Sequence, residues 1–240
     1  DAFTAQKQFS ASAAHELRTP LAVMQTNLEV FARKKTPTIE EYQDIFGMIQ
    51  NQTERLSHLS EVLLDMTGIQ SVERSDSISL AELTDEVCCD LASIADQKKV
   101  ELIQEEGDCT VTGSYLLLYR AVYNLVENAI KYNHSGGKVT VKISQTKALP
   151  AAHSKPADYA LVEVTDTGIG ISPEYQEKIF APFFRVDKSR SRAMGGAGLG
   201  LALVAEIARQ HGGQVKVLAS SEQGSTIALM LPINSPLIEI

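Results

Sequence analysis

Residues 15–31 read HELRTPLAVMQTNLEVF, and the apolar residues in this stretch recur at alternating intervals of four and three. Such spacing forms the seam of a helix that packs lengthwise against other helices. The pattern therefore predicts one long helix at the start of the chain. The residues that carry the spacing are Leu17, Leu21, Met24, Leu28 and Phe31.

A second apolar seam follows a Pro-containing turn at residues 35–38, so the two predicted helices form a hairpin. A single hairpin leaves part of each seam uncovered, whereas two hairpins cover each other in a four-helix bundle. We therefore expect a homodimer. The alternative, in which the hairpin packs on the chain's own second domain, stays open. The second seam consists of Ile45, Ile49, Leu56, Leu59, Leu63 and Met66.

Beyond the hairpin the sequence alternates between amphipathic helices and strands. Because hairpin-length links connect them, we expect a mixed sheet with helices on one face and an α+β fold overall. A polar stretch after Gly68 suggests a linker. The predicted domains are a hairpin at 1–68, a linker at 69–77 and a second domain at 78–240. Predicted helices span 80–97 and 115–132, and predicted strands span 139–143, 159–164, 215–218 and 226–231.

The composition fits a globular protein in a reducing compartment. The formal net charge of -8 excludes the basic face that nucleic-acid binding requires, and it gives no sign of a membrane surface. Three cysteines show neither a disulfide framework nor zinc-site spacing. No apolar run approaches the roughly 18–20 residues of a spanning helix. We expect a cytoplasmic location, with any membrane segment upstream of this sequence.

His15 lies off the apolar seam, on the side of the first helix that should face solvent. A neutral imidazole is a nucleophile at cellular pH, and the adjacent Glu16 carboxylate can orient it and accept its proton. Pro20 should bend the helix just past His15. Thr19, one turn away, is placed to position a water molecule. A lone surface histidine is ordinarily a solvated side chain, so only these neighbours indicate a functional role for His15.

Residues 124–132, NLVENAIKY, place two amides and a cation on one face of a predicted helix. Asn124, Asn128 and Lys131 share this face, and Tyr132 flanks it. Amide oxygens suit a hard Mg²⁺ ion that bridges phosphates, and a lysine reaches phosphate as a point charge. The alternative is that the asparagines cap helices or form buried hydrogen bonds.

Two glycine-rich segments complete the set of candidate site motifs. Asp166 to Gly170, DTGIG, follows a predicted strand, so its carboxylate should project from a strand end. Residues 195–201, GGAGLGL, open a predicted helix whose first N–H groups suit phosphate oxygens. Each alone is also typical of an ordinary turn. A Walker A loop is excluded because no Gly-Lys-Ser/Thr follows, and a Rossmann loop because no strand immediately precedes the glycines.

In this order the motifs resemble those of sensor histidine kinases of two-component systems. Residues 15–21 are similar to the H-box of the largest histidine-kinase class. The asparagine segment, DTGIG, a Phe-rich segment at 180–185, the glycine-rich lid and Gly-Ser-Thr at 224–226 resemble the Bergerat-type ATP site. The resemblance covers nearly the whole chain. It implies a dimeric four-helix bundle followed by an α/β sandwich of the Bergerat type, with ATP and Mg²⁺ bound.

The resemblance also implies a role for individual residues. His15 would be phosphorylated, Glu16 would assist, and Thr19 would support dephosphorylation of the partner. Asn124 and Asn128 would coordinate Mg²⁺. Asp166 would read the adenine amino group, and the lid glycines Gly196, Gly198 and Gly200 would close over the phosphates. Further expected nucleotide contacts are Lys131, Tyr132, Gly168, Gly170, Arg185, Leu199 and Thr226, with Lys188, Arg190 and Arg192 adding positive charge to the lid.

The sequence departs from the family pattern near its end. The family often has glycine and phenylalanine where Glu222 and Ile227 stand, which weakens the assignment of Thr226. Ala197 stands where the family commonly has a hydroxyl residue, so one hydrogen bond is lost.

Two other function classes compete with the kinase interpretation. ATPases of the gyrase, mismatch-repair and chaperone type resemble this site, but they carry a water-activating glutamate where this chain has Asn124. A non-enzymatic scaffold would have lost some of the motif residues, and none is lost. We therefore expect ATP-dependent phosphorylation of His15, transfer to an aspartate on a response regulator receiver domain, and dephosphorylation of that regulator. Whether ATP on one subunit serves its own histidine or that of the other subunit stays open.

Overall fold

The first part of the chain is the predicted helical hairpin. The computed structural model describes residues 2–69, 72–148, 157–186 and 198–233. Helix α1 spans Ala2–Ala32 and continues through Pro20, and helix α2 spans Ile39–Gly68. A capping box begins α2, because the Thr38 hydroxyl accepts from the Glu41 N–H and the Glu41 carboxylate accepts from the Thr38 N–H.

The hairpin covers its apolar seam only in part. Leu59 and Val62 are buried, and the Phe31 and Tyr42 rings pack edge to face with centroids 5.0 Å apart. Farther along, one chain leaves large apolar side chains exposed on both helices. These exposed residues are Leu21, Val23, Leu28, Val30, Ile39, Phe46 and Leu64.

The second part of the chain is a mixed α and β fold, as predicted. Its helices are α3 at Leu80–Lys98, α4 at Tyr115–Lys131 and α5 at Gly200–Gln210. Two short 3₁₀ turns lie at Pro173–Tyr175 and Lys178–Phe180. The strands are β1 at Asp76–Ser79, β2 at Glu101–Gln104, β3 at Thr110–Gly113, β4 at Lys138–Ala148, β5 at Ala157–Asp166, β6 at Gln214–Ser221 and β7 at Gly224–Pro232.

Five strands form the main sheet in the order β2-β4-β5-β7-β6, and β1 and β3 form a separate antiparallel pair. Strands β2 and β4 are parallel, while the other neighbours are antiparallel. In the central ladder Val164 lies opposite Val141 and Ile227. Asp166, the last residue of β5, lies opposite Ser225 near the start of β7. The register therefore brings the candidate aspartate and the Gly-Ser-Thr segment to one end of the sheet.

The hydrophobic core lies between one face of this sheet and helices α3, α4 and α5. Val139 and Val141 are fully buried and alternate with more exposed residues along β4, and Val162 and Leu229 are also fully buried. The opposite face carries polar pairs such as Lys142 and Glu163 together with the buried Leu161, Ala228 and Met230. This arrangement fixes α4 and α5 side by side above the sheet, where they bound the candidate site.

Three short strands were not predicted from the sequence. The four-residue strands β1, β2 and β3 are too short to show a clear alternation of apolar and polar residues. Strand β1 begins at Asp76, two residues inside the segment predicted to be a linker. The predicted strands at 139–143 and 159–164 are each longer in the structure, because the β4–β5 ladder continues to Ala148 and Ala157.

Candidate active site

A cavity of about 420 Å³ lies between α4, α5 and the end of the sheet. It gathers residues from five separate segments, which is why no single motif defines it. Among the predicted site residues, those that line it are Asn124, Asn128, Lys131, Tyr132, Asp166, Gly170, Arg185, Gly198, Leu199 and Gly200.

The two asparagines of α4 line the cavity, and backbone carbonyls hold both of their amide nitrogens. The Asn124 amide nitrogen donates to the Arg120 carbonyl, and the Asn128 amide nitrogen donates to the Asn124 carbonyl, each at 2.8 Å. A Cβ on Gly200 would lie only 2.5 Å from the Asn124 Oδ1 atom. Glycine at the start of α5 therefore lets this helix approach the asparagine face. Two amide oxygens on one cavity wall are a donor set that suits a hard cation.

Cationic side chains lie at the same wall of the cavity. Burial lowers the pKa of Lys131, Glu127 opposes this shift, and Arg185 and Lys98 add to it. Lys131 also lies 6.0 Å from the centroid of the Tyr132 ring. Lys98 donates from Nζ to the Lys131 carbonyl at the end of α4. Lys131 and Arg185, which are partly desolvated and line the cavity, favour an anionic ligand such as a polyphosphate.

Asp166 ends strand β5 with its carboxylate in the cavity. Burial raises the pKa of Asp166, while the backbone N–H groups of Gly168 and Ser225 and the charge of His134 lower it. The Gly168 N–H donates to Oδ1 at 2.8 Å. Because this carboxylate is half-buried next to apolar residues, it favours a ligand group that donates a hydrogen bond.

The glycines of DTGIG allow other backbone segments of the protein to approach closely. Gly170 has φ +67°, and a Cβ there would lie 1.8 Å from the Ser221 carbonyl oxygen. A Cβ on Gly168 would lie 2.4 Å from the Tyr132 carbonyl oxygen. Gly168 does not line the cavity. In place of the predicted nucleotide contact, Gly168 allows the turn after β5 to approach the end of α4 closely.

The sequence analysis missed an apolar wall of the cavity. Val164, Ile169, Ile171, Ile179 and Ile227 line the side next to Asp166. A flat aromatic base buries well against such aliphatic side chains. The signal was present in the isoleucines within and just after DTGIG, although apolar residues there are also typical of plain core packing. Other lining residues that were not predicted include Leu125, Glu127, Phe184, Val186 and Ser225.

The structure does not bring Thr226 into the cavity. Its hydroxyl hydrogen-bonds to the Thr165 hydroxyl at 3.0 Å across the β5–β7 ladder. Neighbouring residues of a strand point to opposite faces, so Ser225 and Ile227 line the cavity while Thr226 lies on the other face of the sheet. Thr226 as a nucleotide contact therefore stays a prediction that the lining of this cavity does not support. Predicted lid residues Gly196, Lys188, Arg190 and Arg192 lie outside the described residues.

His15 is exposed on α1, as its position off the seam predicted. The Thr19 hydroxyl donates to the His15 carbonyl at 3.0 Å. That bond fixes the hydroxyl one turn from the histidine and leaves its oxygen able to accept a further hydrogen bond. An exposed imidazole next to a fixed hydroxyl forms a second site, on the hairpin, in addition to the cavity.

Two family models match these two parts of the chain. One, described as "Histidine kinase-, DNA gyrase B-, and HSP90-like ATPase", matches residues 113–235, which carry the cavity. The other, described as "His Kinase A (phospho-acceptor) domain", matches residues 5–71, which carry His15. The chain belongs to the sensor histidine kinases.

Curated relatives of this kinase are also sensor kinases. Sensor histidine kinase RppB of Synechocystis is 34% identical over 235 residues, covering 96% of this chain and 50% of the relative. Sensor histidine kinase WalK of Bacillus subtilis is 30% identical over 231 residues, covering 95% of this chain and 36% of the relative. The chain thus spans half or less of the length of these two relatives.

Solved histidine-kinase structures share the fold. Histidine kinase ThkA, solved in complex with response regulator protein TrrA, has a TM-score of 0.72 at 21% identity and covers 97% of this chain and 63% of that chain. Acinetobacter baumannii histidine kinase AdeS has a TM-score of 0.68 at 22% identity and covers 92% of this chain and 98% of that chain. No helix among the described residues is long and apolar enough to cross a membrane.

In this kinase Glu16 does not stand free beside His15. Its Oε2 atom lies 3.3 Å from Arg55 Nη2 on α2 and 3.8 Å from Arg185 Nη1 at the cavity. Arg185 was predicted to contact phosphate, and it lines the cavity while also reaching the hairpin. Arg55 was not predicted, because its partner lies 39 residues away in the sequence.

Further contacts dock the ATP-binding part of the kinase on its hairpin. The Phe9 ring of α1 packs on the Phe183 ring with centroids 5.5 Å apart. Asp65 near the end of α2 forms an ion pair with Arg120 of α4. Arg120 lies one turn before Asn124, so this pair joins the hairpin to the helix that carries the asparagines. The Phe-rich segment at 180–185 therefore serves both the cavity and the interface.

Proposed function

We propose that this chain is the catalytic core of a sensor histidine kinase that transfers the γ-phosphoryl group of ATP to His15 and then to an aspartate of a response regulator receiver domain. The observation that carries the proposal is the presence, in one chain, of an exposed His15 and a cavity lined by two asparagines, two cationic side chains and a half-buried carboxylate. The relatives RppB and WalK, which are sensor histidine kinases, support it, as does the complex of ThkA with a response regulator.

ATP fits the chemistry of the cavity. The adenine amino group would donate to Asp166, and the base would lie against the isoleucines next to it. Lys131 and Arg185 would face the phosphates at the opposite wall. Such an arrangement orients the triphosphate by charge at one end and by a hydrogen bond at the other.

Phosphoryl transfer from ATP would proceed by direct displacement. An imidazole nitrogen of His15 attacks the γ-phosphorus, the bond to the oxygen that bridges the β- and γ-phosphates breaks, and ADP leaves. Glu16 accepts the proton from the imidazole ring. In the second transfer, a carboxylate oxygen of the receiver aspartate attacks the phosphorus, the P–N bond breaks and His15 is regenerated.

Mg²⁺ fits the asparagine face of α4. Both amide nitrogens are held by backbone carbonyls, so the oxygens of Asn124 and Asn128 would hold the ion. When bound, Mg²⁺ would neutralise charge on the phosphates. The position four residues before Asn128 is Asn124, which cannot act as a base for water, and this favours transfer to His15 over hydrolysis.

The remaining assignments rest on the membership of this chain in the histidine-kinase family. We propose a hairpin domain at 1–68, a linker at 69–77 and an ATP-binding domain at 78–240, with Thr19 supporting dephosphorylation of the receiver. The exposed apolar side chains on the hairpin support a homodimer, because a second copy would cover part of them. Light scattering that gives the mass of one chain at micromolar concentration would contradict the dimer. A cytoplasmic location follows if the kinase meets a receiver domain there.

A transfer experiment tests the proposed function. Purified protein is incubated with γ-labelled ATP and Mg²⁺, free nucleotide is removed, and a receiver domain is added. We expect label on the kinase that then moves to the receiver and is later released as inorganic phosphate. A reaction with Mg²⁺ chelated should give no label. Release of inorganic phosphate from ATP without a labelled protein would instead identify an ATPase and contradict the proposal.

A further inference from the structure

Arg185 lies between the Glu16 carboxylate of the hairpin and the candidate nucleotide cavity. Its side chain is 7% exposed, and its Nη1 atom is 3.8 Å from Glu16 Oε2. The same residue lines the cavity together with Lys131 and Tyr132. One guanidinium therefore reaches both the candidate nucleotide site and the residue that follows His15.

The charge of Arg185 acts inside the cavity as well as on the hairpin. It lowers the pKa of Lys131, in addition to the larger effect of burial. It also opposes the rise in the pKa of Tyr132 that burial causes. These effects require Arg185 to be close to both side chains. A phosphate bound next to Lys131 would thus lie within reach of the Arg185 charge.

The backbone next to Arg185 is held against α1. Phe183 has φ +63°, an unusual value for a residue with a side chain, and its N–H donates to the Gly198 carbonyl at 2.8 Å. Its ring packs on Phe9. This contact keeps the segment near α1, so Arg185 can reach Glu16 only while the ATP-binding part is docked on the hairpin.

We propose that Glu16 and the γ-phosphate of ATP compete for Arg185, so that Glu16 sets the preference of the kinase for ATP over ADP. The inference rests on the proposed function and adds a role that the family assignment does not give to Glu16. In the docked arrangement Glu16 and Arg185 form an ion pair with each other. When the γ-phosphate binds Arg185, Glu16 keeps only Arg55 as an ion-pair partner, and its carboxylate next to His15 is less engaged when it has to accept a proton.

Competition of this kind has a defined effect on affinity. A ligand that must displace a competing contact binds more weakly. The equilibrium constant of that contact sets the factor by which the ligand's apparent dissociation constant rises. Removing the Glu16 charge should therefore strengthen ATP binding. ADP lacks the γ-phosphate, so its affinity should not change. The difference between the two nucleotides separates competition at Arg185 from a general loosening of the interface, which would affect both.

The test is calorimetry of ATP and ADP, each with Mg²⁺, on wild type and on Glu16→Gln. The proposal predicts about three- to tenfold tighter binding of ATP in the variant, as expected for loss of one partly buried ion pair. It predicts ADP binding within about twofold of wild type. Glu29→Gln, which removes an exposed carboxylate from the same helix, is the matched control and should leave both affinities unchanged.

A second variant checks that the effect belongs to Arg185. Arg55→Ala removes the other partner of Glu16 and leaves the Glu16–Arg185 pair in place. It should not tighten ATP binding. A gain equal to that of Glu16→Gln would show that a loosened hairpin is the cause, and would overturn the competition.

The inference and the proposed function fail in different ways. If wild type binds ATP and ADP but Glu16→Gln leaves their ratio unchanged, the competition is wrong while the nucleotide site stands. If wild type binds neither nucleotide, the proposed function itself is wrong, and the competition falls with it.

Discussion

At the scale of single residues, Asp166 shows how the fold prepares a charged group to select its ligand. Burial raises the pKa of this carboxyl, and two backbone N–H groups and the charge of His134 lower it in opposition. The carboxylate is thus an acceptor in a partly desolvated place. A ligand that presents another acceptor there would leave both groups unpaired, which costs roughly 1–3 kcal/mol.

The first prediction concerns base selection by Asp166. Wild type should prefer ATP over GTP by about tenfold or more, because guanine presents an oxygen where adenine presents an amino group, and 1.4 kcal/mol is a factor of ten. In Asp166→Asn the amide can donate to that oxygen, so ATP affinity should fall and the preference should shrink. Calorimetry with both nucleotides measures this.

Thr226→Ala is the matched control for this prediction, because its hydroxyl is held by Thr165 on the other face of the sheet. Its ATP affinity should equal that of wild type. Equal affinity of wild type for ATP and GTP would show that Asp166 does not read the base. The position of Thr226 was predictable in principle, since residues on either side of it in a strand must point to the opposite face.

At the scale of elements, the long periodic segments were predictable and the short ones were not. The two seams of the hairpin and the amphipathic helices α3 and α4 extend over several turns, so their patterns are clear. Strand β2 has only four residues and exists because β4 offers a parallel partner 37 residues later, at Glu101 and Lys138. Pairing between such distant residues leaves no local signal.

His211 joins α5 to the start of α4. Its Nε2 atom accepts from the Ser114 N–H at 3.1 Å, and its Nδ1 atom donates to the Ile207 carbonyl at 2.8 Å, an arrangement that only the neutral ring allows. A Cβ on Gly113 would lie 2.7 Å from this ring, so glycine makes room for it. Burial lowers the pKa of His211 from its ordinary value of 6.5, an effect that the Ile207 bond opposes and Arg74 reinforces.

The second prediction follows from the sign of that shift. The unfolded chain binds a proton at His211 more readily than the folded chain does, so stability is full above pH 6.5 and falls as the pH drops toward the lower folded value. The melting temperature of wild type should fall between about pH 7.5 and about pH 5.5. In His211→Gln, which is less stable throughout, that fall should be smaller.

The exposed His15 of the hairpin provides the control for the pH prediction. His15→Gln should keep the wild-type dependence of melting temperature on pH. If His211→Gln keeps it fully as well, then other groups cause the loss of stability in acid, and His211 is only a packed side chain.

At the scale of the whole molecule, contacts between single side chains dock the hairpin on the ATP-binding part. Phe9 with Phe183, Glu16 with Arg185 and Asp65 with Arg120 join the two parts. The motifs identified the cavity and His15 from sequence, whereas the interface depends on single side chains far apart in the chain and was not predictable.

The central claim is that this chain phosphorylates itself on His15. The most direct measurement is the stability of the protein-bound label after incubation with γ-labelled ATP and Mg²⁺, in wild type, His15→Gln and the control His58→Gln. We predict a label that acid removes and base does not in wild type and His58→Gln, as expected for a phosphoramidate, and no label in His15→Gln. A normal label in His15→Gln, or an acid-stable label in wild type, would contradict it.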